Sequence, residues 1–290
     1  MNRSFLLLML IILSQACNTG NHSATEKPVV SVSILPQKYF LEQLAGDLVE
    51  VNVMIPPGAN PATYEPTISQ LGKLDRSELY FRIGYVGFEL SWMEKIRSVN
   101  PEMEVVDLSS GIQLIHGVEN GDHGDSHHHG GTDPHIWMSA RNAGLIASNM
   151  YEALTNLLPD QKEKLTSNLE VLLGEIESLD KEISRMMAGL DHRSFMIYHP
   201  ALTYFARDYS LEQLPLELEG KNPSPAHMKK MADLGRMHHI KTIFLQKQFD
   251  QKNAQVLAAE IGARVVFFDP LAPDWNSQML FIAAKLKETL

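Results

Sequence analysis

At 290 residues the chain has room for one large or two medium domains. Its 44% hydrophobic content is ordinary for a protein that builds sizeable soluble cores. The formal charge of -10, from 25 basic and 35 acidic side chains, argues against a nucleic-acid partner, which would require a basic face.

The chain begins MNRSFLLLMLIILSQAC: one arginine, an apolar run over 5–13, then small residues before the single cysteine. That run is too short to span a bilayer and reads as a secretory signal over 1–16. Cys17 at its end suits the lipid-attachment site of a bacterial lipoprotein, although Ser14 stands where such sites usually carry leucine, so plain cleavage after Ala16 is the alternative. A polar tether follows over 17–28. Strand and helix signals then alternate. A β-rich run covers 29–35, and Tyr39, Leu41 and Leu44 continue in helical spacing. Residues 49–55 alternate like a strand until PPGANP breaks the chain. Residues 79–83 and 103–108 read as strands around a helix at 86–99. The stretch 117–133 has no periodicity and is expected to be a surface loop, and a helix is expected over 139–158.

Leu165, Leu169, Leu172, Ile176, Leu179, Ile183, Met186 and Leu190 then recur four and three apart, a helical seam about 45 Å long. With no second such segment to pair with, it reads as a rigid spine between two domains rather than a coiled coil. Beyond it come strands at 194–198, 242–245 and 263–268, and helices at 201–209, 224–238, 252–261 and 277–290. The expected fold is α/β: a βα lobe over 29–158 containing the loop 116–131, a spine helix over 159–191 and a second βα lobe over 192–290. Parallel sheets follow from the alternation. A ligand site belongs in the cleft between the lobes, at the carboxyl ends of strands.

Three residues stand where such a fold presents chemistry. His199 follows one strand and precedes Pro200; Asp269 follows another and precedes Pro270; His135 sits in TDPHIW. Singly, a strand-end histidine reads as a surface residue and Asp-Pro as a turn. Together, two imidazoles and a carboxylate suit Zn2+ and other borderline cations. His192, His227, His238 and His239 have no comparable context and read as surface residues.

The arrangement resembles the metal-binding receptors of zinc/manganese-type ABC importers. The resemblance rests on VSILPQKYFLEQLAGD, PPGANPATYEPT, TDPHIWMSARN, the spine, YHPALTYFARDY and FFDPL, in that order along nearly the whole chain after the leader. It implies an extracytoplasmic receptor, not an enzyme, that hands Zn2+, or less readily Mn2+, to a permease and its ATPase. It further implies a monomer, lipid-anchored in the periplasm or at the cell surface, with His135, His199 and Asp269 as ligands. The zinc branch of the family carries a histidine-rich acidic loop, which here would hold His116, His123, His127, His128 and His129. One departure stands out: the family's first ligand histidine falls at Ala62. The fourth ligand is then left open among water, the second Asp269 oxygen, a loop histidine and Glu65. Two other functions fit the same residues, a zinc hydrolase and a metal-buffering or adhesive lipoprotein. No HExxH motif supports the first.

Overall fold

The computed structural model describes residues 27–116, 131–217, 222–247, 249 and 251–290. The expected leader, Cys17, most of the tether, and His123, His127, His128 and His129 lie outside the described residues. Two lobes are built on the same plan. In the first, β1 (Val29–Val32), β2 (Glu50–Val53), β3 (Ser77–Arg82) and β4 (Glu104–Asp107) form a parallel sheet ordered β2-β1-β3-β4. In the second, β5 (Ser194–Ile197), β6 (Glu212–Pro215), β7 (Thr242–Gln246) and β8 (Arg264–Phe268) are parallel in the order β6-β5-β7-β8. Each sheet therefore reverses its winding between its first and third strands, where open α/β sheets leave a crevice.

The helices are α1 (Leu35–Ala45), α2 (Ile68–Leu74), α3 (Gly87–Val99), α4 (Ala140–Leu157), α5 (Lys162–Met187), α6 (Thr203–Asp208), α7 (Pro225–Met237), α8 (Gln251–Ile261) and α9 (Trp275–Lys287). The first β-rich run ends at Val32, not at residue 35, because Gln37 caps the next helix. Its Oε1 accepts from the Ser33 and Ile34 amides, both at 2.9 Å, and Pro36 pre-sets the first turn. Two elements have no counterpart in the sequence reading. Helix α2 buries only Leu74, so it shows no apolar stripe; a Thr67–Gln70 capping box starts it. Strand β6 ends on Pro215, which an edge position tolerates because the missing N–H faces no neighbour.

The spine is α5, 26 residues and about 39 Å long. Leu165, Leu172, Ile176, Leu179, Ile183 and Met187 form its buried face. It is not free-standing: it packs along α4 and against α1 and α9. One continuous core runs from Val30 and Phe81 of the first sheet, through the buried face of α5, to Phe195, Phe244 and Phe268 of the second. A smaller core of Met196, Tyr198, Ile243, Leu245, Met231 and Leu257 lies on the other side of the second sheet. Strands β5 and β7 are thus covered on both faces, which is why they read as unbroken apolar runs. Among the described residues no helix is long and apolar enough to cross a membrane.

Candidate metal centre

His199 stands two residues beyond β5, where Tyr198 extends the ladder by donating its amide to the Phe244 carbonyl. The β5–β6 pairing also runs past Pro215: the Leu216 amide reaches Ile197 and the Glu217 amide reaches Tyr198. That register sets Glu217 beside His199, and the Nδ1–Oε2 distance is 2.7 Å. The Glu217 side chain is only 6% exposed. A carboxylate can only accept, so Nδ1 is the donor in this contact and Nε2 is the nitrogen left to meet a metal. Phe249 stacks on the imidazole at 4.9 Å and 17° and fixes its plane.

His135 is held by the same device from a different element. Asp133 Oδ1 accepts from the His135 amide at 2.9 Å and pairs with His135 Nδ1 at 2.8 Å, bridging Pro134 in a tight turn. Burial raises the Asp133 carboxyl, but the charge and hydrogen bonds of His135, with a bond from Thr203, outweigh it and hold the group below the ordinary carboxylate value. Tyr204 of the second lobe donates its hydroxyl to the Asp133 carbonyl at 2.9 Å.

The two imidazoles, 64 positions apart in the chain, face each other across the lobes with ring centroids 5.2 Å apart and planes at 70°. Two imidazoles sharing one tetrahedral zinc through Zn–N bonds of about 2.0–2.1 Å bring their centroids to about 5 Å. Each ring has its Nδ1 on a carboxylate, the outer-shell arrangement that orients metal-binding histidines and raises their basicity.

Asp269 follows β8 in a half-buried turn, with Oδ1 accepting the Leu271 amide at 2.9 Å. Its segment is tied to that of His135: Trp137 Nε1 donates to the Pro270 carbonyl, and Trp275 Nε1 donates to the Trp137 carbonyl, both at 2.7 Å. Among the described residues, however, no three His, Cys, Asp or Glu side chains converge closely enough to hold a metal as they stand. The structure brings His135 and His199 together and leaves the Asp269 carboxylate outside that pair. Glu65 is exposed, as is Ala62. The Ala62 backbone lies so close to the start of α3 that a Cβ at Gly87 would stand 3.2 Å from the Ala62 Cα. His116 is exposed at the base of the histidine-rich segment, in a one-pair antiparallel bridge with Thr132.

Three further residues belong to this centre and were not singled out from sequence. The Asp-Pro-His spacing could have revealed Asp133 as a turn-former reaching its own histidine. Glu217 could not be found that way, because it lies 18 residues from His199, two positions past an edge strand that leaves no apolar pattern. Gln246, buried at the end of β7, donates Nε2 to the His199 carbonyl at 2.9 Å.

The family description "zinc-uptake complex component A periplasmic" matches residues 30–288. The high-affinity zinc uptake system protein ZnuA of Bacillus subtilis is 26% identical over 283 residues, covering 92% of this chain and 87% of that protein. A crystal structure of a ZnuA superposes with a TM-score of 0.84 at 38% identity, over 91% of this chain and 99% of the other. A zinc-bound ZnuA deletion mutant gives 0.83 at 37% identity, over 90% and 97%. A two-lobed α/β scaffold carrying a carboxylate-buttressed histidine pair thus agrees with likeness along nearly the whole chain: it belongs to the periplasmic component A family of zinc-uptake complexes.

Proposed function

We propose that this chain is an extracytoplasmic receptor that captures Zn2+ between its lobes and delivers it to an ABC permease and its ATPase. The observation that carries the reading is the His135–His199 pair, contributed by opposite lobes at 5.2 Å, each ring with its Nδ1 on a carboxylate. Asp269 supplies the third ligand in this reading. Its turn is joined to the His135 segment through Trp137, and the reading requires the Asp269 side chain to move toward the imidazole pair. Water or Glu65 takes the position that Ala62 leaves open.

Two imidazoles favour Zn2+ over the harder Mn2+. Binding requires both rings unprotonated at Nε2, so protons compete with the metal and affinity falls in acid. The chain acts as a monomer, without turnover of its own and without nucleic acid. Cys17 carries the lipid that holds it to a bacterial membrane, and the histidine-rich segment, with His116, His123, His127, His128 and His129, collects additional zinc.

Calorimetric titration of the metal-free chain with Zn2+ tests the reading. One tight ion per chain is expected, and His199→Ala should abolish it while circular dichroism stays unchanged. Unaltered affinity in that variant would remove His199 from the ligand set, and no tight ion in the parent would remove the receptor role. Reconstituted permease should hydrolyse ATP faster with the zinc-loaded than with the metal-free chain.

A further inference from the structure

A second pair of imidazoles lies at the opposite end of the second lobe. His192 precedes β5 whereas His199 follows it, so at about 3.3 Å per residue the two sites are roughly 20 Å apart. His192 and His239, 47 positions apart in sequence, have ring centroids 5.8 Å apart and planes tilted by 44°, and both are exposed. They line one small depression together with His238, Lys241 and Leu290.

Three features of this depression favour a cation. The first is the backbone of His239, which has φ = 52° just past the end of α7. The Ile240 amide donates to the Gly235 carbonyl at 2.9 Å, so His239 occupies the left-handed position that glycine normally fills at a helix C-terminus. A residue with a Cβ is strained there, and a strained residue is a pointer to use of its side chain. The second is the dipole of α7, whose carbonyl end at Met237 lies two residues before His239 and attracts positive charge. The third is Leu290, whose main-chain oxygen accepts the His192 amide at 3.2 Å and retains a second lone pair. Lys241 opposes a cation, but its long stem lets the ammonium swing into water.

We infer that His192 and His239 form an auxiliary site for a borderline divalent cation, Zn2+ in the first instance, with the Leu290 oxygen and water completing the shell. Two imidazoles at 5.8 Å need only a small rotation to reach the separation of about 5 Å that a shared zinc requires. With two side-chain ligands the site is weaker than the cleft and fills after it.

The test is residue-specific. Full-length chain carrying 15N-labelled histidine is titrated with Zn2+ past the first equivalent while the imidazole signals of His192 and His239 are followed. The expected result is that both move together after the cleft has filled. His239→Gly should abolish the His192 response and remove one weak zinc ion per chain, leaving cleft affinity unchanged. Because glycine suits the left-handed backbone, that variant should fold and melt no lower than the parent. His192→Gln should silence the His239 response in the same way, and Lys241→Ala should tighten the weak site several-fold. An unmoved His192 signal at saturating zinc, or a His192 response that survives His239→Gly, would overturn the inference. Neither outcome bears on the cleft, whose own titration is read in the same experiment.

Discussion

The two indoles that cross between the lobes offer the sharpest test of how the cleft is held. Trp137 is 3% exposed and Trp275 2%. Their N–H groups donate in sequence, Trp275 to the carbonyl of Trp137 and Trp137 to the carbonyl of Pro270. This relay joins the segment carrying His135 to the turn carrying Asp269. Trp137→Phe keeps an aromatic ring but strands the carbonyl of the buried Pro270. An unsatisfied buried acceptor costs about 1–3 kcal/mol. The smaller ring leaves space worth roughly 1 kcal/mol more. The expected loss is therefore about 2–4 kcal/mol, which in a domain of this size lowers Tm by very roughly 4–16 °C.

Because the lost bond also registers two proposed ligands, zinc affinity should fall along with stability. Trp92→Phe is the control, since Trp92 is only half-buried and stacks on Phe88 at 6.3 Å. Thermal unfolding by near-UV circular dichroism and zinc competition against a chromophoric chelator read the two effects. If Trp137→Phe melts within a degree or two of Trp92→Phe and binds zinc as tightly as the parent, the indole relay does not hold the cleft.

Glu217→Gln keeps an acceptor for His199 Nδ1 but removes the charge behind the ring, so zinc affinity should fall about 10–100-fold by competition titration, with little change in Tm. Ala62→His restores an imidazole at an exposed position and should tighten zinc binding; equal affinity would mean that another group already completes the shell. Gly174 is exposed in the middle of α5, and a Cβ there meets nothing within 4 Å. Gly174→Ala should therefore raise stability by about 1 kcal/mol in denaturant unfolding, with zinc binding unchanged.

Most of the fold was legible in the sequence because its strands are short apolar runs and its longest helix carries a sustained seam. Both signals are local, reporting which face of an element is buried. The elements that escaped, α2 and β6, bury too little to leave a pattern: one is marked by a capping box and the other is an edge strand ending in proline. The first strand stops short of the end of its apolar run for a similar reason, since a glutamine side chain rather than a change in hydropathy starts the next helix.

For the candidate centre, the sequence by itself offered the residue types and their settings: His199 and Asp269 just past strands and His135 in the loop before α4, each beside a proline. Asp133 was within reach as well, being two residues from its histidine. Only the tertiary structure decided which groups meet. Glu217 reaches His199 through the register of β6 on β5, and His135 reaches His199 because the shared core and the indole relay lock the lobes together. His192 and His239, unremarkable in sequence, face each other for the same reason. Contact between residues 47 or 64 positions apart is fixed by how layers pack around a common core, and no property of a short stretch of chain encodes that distance.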